Sequence, residues 1–282
     1  MGGDKNRDEN VISHFGGEWK AFNYLDSERL EDVREQFNSY VRPLPQGFLT
    51  RKDLVIADFG AGSGRWAHFF LDSAKQVYML EPGVESFALL RQRFSANPKA
   101  ALLNETVSDN SVPDSSLDLA VSLGVLHHIP STLKGIQDIS KKIKPGGYFL
   151  CYLYYALENK PFAYRLLWKF SNLFRLAISK LPFIARRAVC EIIAGIFYFP
   201  LARVSKAVEK LGMSTGNIPL HHYAQMSYYV MRNDAYDRFG TSLEQRFTQL
   251  EITQMLSQSG FDMSTLTFSK DEPFWTFSIR KP

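Results

Sequence analysis

Short apolar segments alternate with longer amphipathic segments between residues 51 and 155 of the chain. Each apolar segment is bounded by turn-forming residues, which predicts a buried strand. The amphipathic segments over 84–94 and 133–143 repeat apolar residues at helical spacing and predict helices. Strands that alternate with helices are typical of a parallel sheet covered on both faces. The predicted strands are residues 54–59, 76–80, 117–123 and 148–155.

The same alternation returns near the C-terminus. Thr248 and Glu251 form the pattern of a capping box at the start of a helix, and Gly260 is typical of its end. Two strand patterns follow, over 261–269 and 274–280. The short polar link between them predicts an antiparallel hairpin at one edge of the sheet.

A long insertion interrupts the alternation between residues 158 and 240. Apolar residues over 162–181 recur at three- and four-residue steps on one face of a predicted helix, whereas Arg175 and other polar residues fall on the opposite face. Further helical segments follow over 184–199 and 201–211. We expect a helical lid whose apolar face packs on the core and whose lysines lie in solvent.

The insertion also carries most of the positive charge. Ten Lys and Arg against three Glu over 158–212 give a net charge of +7, whereas the whole chain has +4. A basic amphipathic helix with aromatic residues is typical of a membrane-surface element. The pattern over residues 160–211 therefore also predicts contact with a membrane. A dimer interface over 188–202 is a third interpretation. Nucleic-acid binding is disfavoured, because the apolar face is wider than phosphate contacts require.

The composition is that of a soluble globular protein, with 45% hydrophobic and 22% charged residues. Cys151 and Cys190 are too few for a disulfide framework or a zinc cage, so we predict no metal site and a reducing, cytoplasmic location. The polar N-terminus does not resemble a secretory signal. The most apolar run, over 188–202, is short and is interrupted by Glu191 and Pro200, so it does not predict a membrane span.

The most informative motif follows the first predicted strand. Asp58 and Phe59 lead into a Gly-x-Gly-x-Gly loop over 60–64, and a buried helix is predicted over 66–71. Glycines let the backbone turn tightly and let a ligand approach it closely. The dinucleotide fingerprint places its third glycine one residue later, and Asp58 puts a negative charge where a pyrophosphate would lie. A ligand with an ammonium or sulfonium group fits this loop better.

The next predicted strand ends in Glu81, which is followed by Pro82. An acidic residue at the tip of this strand suits hydrogen bonds to both hydroxyls of a ribose. The site therefore combines a preference for ribose with a preference for a cationic group, and nothing in it calls for phosphate. S-adenosylmethionine (SAM) has both features.

Together these segments resemble the class I SAM-dependent methyltransferases over residues 52–155. The loop after Asp58 matches the first motif of that family, and Glu81 matches its ribose-binding acid. The resemblance implies an α/β fold, a doubly wound Rossmann-like seven-stranded sheet in the order 3-2-1-4-5-7-6, with a helical lid inserted after strand five. The later matching segments, in the family's order, are residues 113–122, 124–129 and 144–148.

Composition and pattern divide the chain into four regions. Residues 1–50 form an N-terminal cap or flap, 51–157 the SAM-binding core, 158–240 the insertion, and 241–282 the completion of the core sheet. The aromatic segment around Trp19 resembles flaps that cover bound SAM in this family. Simple packing of a cap on the sheet is the alternative.

Cofactor contacts follow residue by residue from the same resemblance. The acidic residue that usually holds the adenine is replaced by Thr106, so the adenine contact is assigned to the backbone of Val107 or to Asp109. Leu123 is expected near the methionine arm. The predicted cofactor-binding residues are Asp58, Gly60, Ala61, Gly62, Gly64, Glu81, Pro82, Val107, Asp109, Leu123 and Trp19.

Two histidine pairs are candidates for contact with the acceptor. His127 and His128 follow the fourth strand, at the mouth of the site, and one of them could take a proton from an acceptor hydroxyl. Methyl transfer by positioning alone is the alternative. His221, His222 and Tyr223 are predicted to line the acceptor pocket, or else to be an ordinary packing contact.

These features predict an enzyme that transfers the methyl group of SAM to an oxygen or nitrogen of a small or lipid-linked acceptor. A glycolipid, a quinone precursor and a secondary-metabolite precursor are the favoured classes. The alternatives are an RNA or DNA methyltransferase and a non-catalytic SAM-binding protein of the same fold. We expect the protein in the cytoplasm, peripheral at the inner face of the membrane.

Overall fold

Two compact units make up the chain. The computed structural model describes residues 6–21, 30–158, 160–215, 218–270 and 274–282. Residues 1–156 and 243–282 form one unit, called here the core unit. Residues 157–242 form the other, called here the helical unit.

A seven-stranded sheet lies at the centre of the core unit. Its strands are β1 (Leu54–Phe59), β2 (Ala74–Leu80), β3 (Ala100–Leu103), β4 (Leu117–Leu123), β5 (Ile143–Tyr154), β6 (Asp262–Phe268) and β7 (Phe274–Arg280). The order β3-β2-β1-β4-β5-β7-β6 confirms the order that the resemblance implied. Strands β1 to β5 pair in parallel, whereas β7 runs antiparallel to both of its neighbours. Every residue of β4 is buried, as expected for a central strand covered on both faces.

Ten α-helices are described. They are α1 (Glu9–Ala21), α2 (Leu30–Val41), α3 (Ala67–Phe70), α4 (Val84–Phe94), α5 (Thr132–Lys142), α6 (Phe162–Ile178), α7 (Phe183–Ile193), α8 (Phe199–Lys210), α9 (Tyr228–Gly240) and α10 (Gln249–Ser257). The predicted capping box is confirmed at the start of α10, where Thr248 and Glu251 satisfy each other's backbone N–H groups. Gly260 follows with a positive φ of 72°, as its place after the helix suggested.

The sequence pattern did not predict β3, and the strand that it predicted for β5 was too short at its start. Strand β3 is an edge strand that pairs only with β2, and all four of its residues are half-buried, so it has no periodic signal. Strand β5 begins at Ile143, ahead of the predicted start at Tyr148. Ile143 already pairs with Leu117, before an irregularity in the register.

The helical unit has an apolar core of its own. Helices α7 and α8 are joined by a π-helical turn over Ala194–Tyr198 and form one continuous helix. Its buried side chains pack with those of α9 and with neighbouring residues. Within the described residues, the helix Phe183–Lys210 is long and apolar enough to cross a membrane by length and composition. The shared core residues are Ile178, Cys190, Ala194, Tyr198, Ala202, Tyr223, Met231, Ala235, Tyr236 and Phe239.

Helix α6 packs by the face opposite to the expected one. Arg175 is buried, and its guanidinium donates to the carbonyl oxygens of Thr241 (2.6 Å) and Ser242 (3.2 Å). The apolar side chains of Phe170 and Phe174, by contrast, are exposed. The expectation of a lid packed by its apolar face is therefore wrong for α6. The carbonyl groups beside Arg175 explain the inversion, since they satisfy a buried cation that the sequence pattern placed in solvent.

Candidate functional site

The glycine loop after β1 is folded more tightly than side chains would permit. Gly60, Gly62 and Gly64 have positive φ angles of 85°, 57° and 88°. A Cβ on Gly60 would lie 2.4 Å from Val125, and one on Gly64 would lie 2.2 Å from Phe94. These positions require glycine both for backbone conformation and for space. The loop is thus closely packed on its inner side.

Backbone hydrogen bonds fix this loop to the end of β2. The N–H groups of Gly60 and Ala61 both donate to the carbonyl oxygen of Leu80, at 2.9 and 2.8 Å. The next residue in the chain after Leu80 is Glu81, so the loop and the acidic residue are held side by side. The parallel pairing of β1 and β2 makes this possible, because the carboxyl ends of both strands meet at one edge.

Asp58 and Glu81 are two buried carboxylates on opposite sides of this junction. Glu81 accepts hydrogen bonds from the N–H groups of Gly62 (Oε2, 3.0 Å) and Gly83 (Oε1, 2.8 Å). Asp58 accepts one from the N–H of Ala67, whereas its Oδ2 atom is buried with no hydrogen-bond partner in the described part of the chain. Burial, and then the negative charge of Glu81, raises the pKa of Asp58 to about 7. Burial also raises the pKa of Glu81 to about 7.

The chemistry of this pair fits SAM. Two buried acids with raised pKa values favour a ligand that brings positive charge. The unpartnered oxygen of Asp58 offers an acceptor to such a ligand. A carboxylate can accept about four hydrogen bonds, so Glu81 keeps free acceptor sites for hydroxyl groups beside the two that the backbone uses.

An open groove of about 640 Å³ lies beside the ends of β2 and β3, lined by Pro82 and Thr106 among others. Thr106 and Asp109 close a tight turn here. The N–H of Thr106 donates to the carbonyl oxygen of Asp109, and the N–H of Asp109 donates to the side-chain hydroxyl of Thr106. Asp109 lines the groove and is exposed, whereas Val107 is buried in the sheet's core cluster. The side chain of Asp109 is therefore accessible from the groove, and the assignment of the adenine contact to Asp109 or to the backbone of Val107 stays a prediction.

His127 and His128 lie on a short turn after β4, and both are buried. Neither ring nitrogen of His127 has a hydrogen-bond partner among the described residues, and its ring stacks on Tyr154 with centroids 3.9 Å apart. Burial, then the nearby His128 and Arg246, lowers the pKa of His127 well below its ordinary value. Its imidazole is therefore neutral near pH 7 and can accept a hydrogen bond. His128 is engaged instead, with Nδ1 2.7 Å from the carbonyl oxygen of Leu243.

Comparisons with known proteins agree with this site. Residues 57–151 match the family model described as a methyltransferase domain. A Mycolicibacterium smegmatis protein named probable S-adenosylmethionine-dependent methyltransferase is 25% identical over 34% of this chain and 36% of its own. A ubiquinone biosynthesis O-methyltransferase of Vibrio cholerae is 26% identical over 47% of this chain and 50% of its own. Residues 57–151 are thus similar to methyltransferase domains, in agreement with the resemblance found in the sequence.

A solved structure shows the same fold over nearly the whole chain. Magnesium protoporphyrin IX methyltransferase from Synechocystis, with bound S-adenosylhomocysteine, has a TM-score of 0.54 and 11% identity, covering 96% of this chain and 98% of its own. The chain spans between about a third and a half of the length of the two curated relatives. The match to the family model, over residues 57–151, lies within the core unit.

Two predicted cofactor residues, Leu123 and Trp19, lie on other elements of the core unit. Leu123 is the buried last residue of β4. Trp19 is in α1, but its side chain lies outside the described residues. Within α1, His14 is buried and the ring of Phe15 lies 5.1 Å from that of His128. The N-terminal segment thus contacts the turn that carries the histidines, and its role as a flap stays a prediction.

The second histidine pair lies in the helical unit. His221, His222 and Tyr223 form a short helical turn, and the Tyr223 hydroxyl donates to Asp234 at 2.8 Å. The ring of His222 packs 4.0 Å from that of Tyr223, and desolvation lowers the pKa of His222 to about 3. These contacts give the turn a structural role. Its role in acceptor binding stays a prediction.

Three residues around the methyltransferase site were missed in the sequence. Asn104 donates its side-chain amide to the carbonyl oxygens of Glu81 (2.8 Å) and Pro82 (3.1 Å) and so holds the segment after β2. Tyr154 stacks on His127, and the guanidinium of Arg246 lies 4.9 Å from the Tyr154 ring. None of the three was marked by a local pattern, since even Asn104 follows β3, the strand that the sequence pattern missed. In the described residues, no group of three or more His, Cys, Asp and Glu is placed to hold a metal ion.

Proposed function

We propose that this protein transfers the methyl group of SAM to an oxygen atom of a small or lipid-linked acceptor. The observation that carries the proposal is the junction of Asp58, the glycine loop and Glu81, with His127 at the end of the neighbouring strand β4. Similarity to an O-methyltransferase supports oxygen over nitrogen. A glycolipid, a quinone precursor or a secondary-metabolite precursor remains the favoured acceptor class, and a cytoplasmic location stays a prediction from the sequence.

Each residue has a distinct part in this proposal. When bound, SAM supplies an electrophilic methyl group. Asp58 would attract its positive charge, Glu81 would hold ribose hydroxyls, and the loop backbone would cradle the methionine portion. His127 would accept the hydrogen bond of an acceptor hydroxyl through a ring nitrogen, and so orient the oxygen and draw off its proton.

The activity is tested with SAM labelled in its methyl group. The full chain is incubated with separate lipid, small-polar and nucleic-acid fractions from the source cell. Label in lipid or in a small polar product supports the proposal. Label in nucleic acid, or bound SAM without any transfer, would replace it with one of the two alternatives drawn from the sequence.

His127 is tested by two substitutions once an acceptor is known. If His127 draws off a proton, His127→Ala and His127→Gln both lower kcat by roughly a hundredfold or more, while SAM affinity stays within about twofold. If it only orients the acceptor, His127→Gln retains most of the rate, because an amide can still accept a hydrogen bond. A full rate in both variants would remove His127 from the mechanism.

A further inference from the structure

The exposed apolar side chains of this protein are concentrated in the helical unit. Of the twenty large hydrophobic residues exposed in the described part of the chain, eighteen lie between Phe162 and Tyr228. The other two, Val84 and Leu250, are isolated in the core unit. Scattered exposed apolar residues are normal on a protein surface, but a concentration of this kind marks an interaction surface.

Helix α6 provides the first part of this surface. Phe170 and Phe174 are 55% and 66% exposed, whereas Arg175, one residue further on, is 4% exposed. At about 3.6 residues per turn, the exposed apolar residues fill one face of the helix and Arg175 lies on the opposite face. The helix is thus held to its unit by the side that carries Arg175 and Ile178, and most of its large apolar side chains are exposed. The exposed apolar residues of α6 are Phe162, Leu166, Leu167, Phe170, Leu173, Phe174 and Leu176.

The continuous helix of α7 and α8 provides the second part. Cys190, Ala194 and Ala202 are buried in the core shared with α9. Ile184 (82% exposed), Ile192 and Ile196 project elsewhere on the same helix and are exposed. This helix could cross a membrane by its length and composition, but its packing with α9 uses one side of it along most of its length. An orientation parallel to a membrane surface retains that packing, whereas a spanning orientation would break it.

Charge distinguishes among the surfaces that this face could meet. The segment 158–212 has a net charge of +7, so the rest of the chain has −3. Arg165 and Lys169 are exposed at one border of the apolar face of α6, and Lys180 is exposed just beyond its end. An exposed apolar face bordered by lysine and arginine is complementary to a layer of hydrocarbon covered by anionic headgroups. A second copy of this chain would bring the same positive charge to the contact.

We propose that the exposed face of α6, α7 and α8, called here the apolar face, docks this protein on a bilayer that contains anionic lipids. The helices lie in the plane of the interface, with phenylalanine and isoleucine side chains among the headgroups and upper acyl chains. The basic residues at its border contact lipid phosphates. The face is independent of the SAM site, so the proposal stands or falls separately from the proposed methyl transfer.

The test is sedimentation of the full chain with vesicles, without SAM or acceptor. One set of vesicles is phosphatidylcholine, and the other has roughly a third of it replaced by phosphatidylglycerol. We expect the protein to sediment with the anionic vesicles. High salt should weaken this binding without abolishing it, because the apolar contribution is not screened.

Three variants separate the apolar and the electrostatic contributions to vesicle binding. The double variant Phe170→Ser with Phe174→Ser should lower the partition coefficient by roughly tenfold or more, since it removes apolar area from the contact. The double variant Arg165→Gln with Lys169→Gln should lower it by about fivefold per charge, at about 1 kcal/mol each. Leu250→Ser is the matched control, because Leu250 is as exposed as Phe174 but lies in the core unit. Thermal unfolding should be unchanged in all three.

Two results would overturn the proposal. One is a wild-type chain that stays in the supernatant with both kinds of vesicle. The other is vesicle binding that Leu250→Ser lowers as much as the two double variants do. If the wild type instead forms a dimer that Phe170→Ser with Phe174→Ser disperses, the apolar face is a protein interface and the membrane proposal is wrong.

Discussion

The core unit buries charge, whereas the helical unit exposes apolar surface. Asp58 and Glu81 are buried carboxylates with raised pKa values, and each costs folding free energy in the absence of a cationic partner. Phe170 and Phe174 are exposed and forgo the stabilisation that burial would give. A chain tends to depart from ordinary packing where it binds something. The two departures correspond to the two sites that we propose, one for a small polar cation and one for an extended apolar layer.

Removing the carboxylate of Glu81 should have the largest effect. Glu81→Ala leaves the N–H groups of Gly62 and Gly83 without their acceptor and removes the contact proposed for the ribose. We expect SAM affinity to fall by about a thousandfold, or roughly 4 kcal/mol. Isothermal titration calorimetry measures this directly.

The matched control is Glu251→Ala, which removes another acid of the core unit. Glu251 is exposed and serves the capping box of α10. Its loss should cost about 1 kcal/mol of stability and leave SAM affinity unchanged. Unaltered SAM binding in Glu81→Ala would show that the buried carboxylate is not a cofactor site.

Substitution of one glycine in each unit compares how tightly the two units are packed around it. Gly64 and Gly212 have similar positive φ angles, but a Cβ would lie 2.2 Å from Phe94 at Gly64 and within 4 Å of nothing at Gly212. We expect Gly64→Ala to lower the free energy of unfolding by about 3–4 kcal/mol, through strain and overpacking together. Gly212→Ala should cost about 1–2 kcal/mol, through strain alone. Urea unfolding checks both, and equal losses would mean that the loop can relax around a side chain.

Opposite faces of α6 offer the next test. Arg175→Leu leaves the carbonyl oxygens of Thr241 and Ser242 without this donor, so the free energy of unfolding should fall by about 2–3 kcal/mol. Phe170→Ser changes an exposed position and should stay within about 0.5 kcal/mol of the wild type. Thermal and urea unfolding of both variants measure the difference. If Phe170→Ser were the more destabilising variant, α6 would pack by its apolar face after all.

The difference between the units also explains how much the sequence could predict. The capping box and the glycine loop were predictable, because each depends on local pattern, whereas the strand order followed from the family resemblance. The orientation of α6 was not, since the acceptors for Arg175 lie more than sixty residues later in the chain. Tyr154 and Arg246 beside His127 were missed for the same reason, as contacts between distant segments leave no local pattern.

The smallest effect we expect is a pH dependence of stability that comes from Asp58. Its folded-state pKa of about 7 lies above the ordinary 3.8, so between these values the folded state holds a proton that the unfolded state has lost. Stability should therefore fall as pH rises from about 4 to about 7, and stay low above that range. Asp58→Asn cannot ionise, so its stability should fall less than that of the wild type over this range. Urea unfolding without SAM at several pH values measures both curves.

Other groups also titrate over this range, and the variant separates them. Glu81 has the same direction of shift as Asp58, whereas the lowered pKa values of His127 and His222 make the protein less stable as pH falls below about 6.5. Asp58→Asn retains all three groups, so the difference between the two curves reports Asp58 together with its interaction with Glu81. SAM should reduce this difference, since a cationic ligand beside Asp58 favours the ionised carboxylate, binds more tightly as pH rises toward 7 and so offsets the loss of stability of the wild type. Parallel curves for the two proteins would mean that the pKa of Asp58 is not raised in the folded protein.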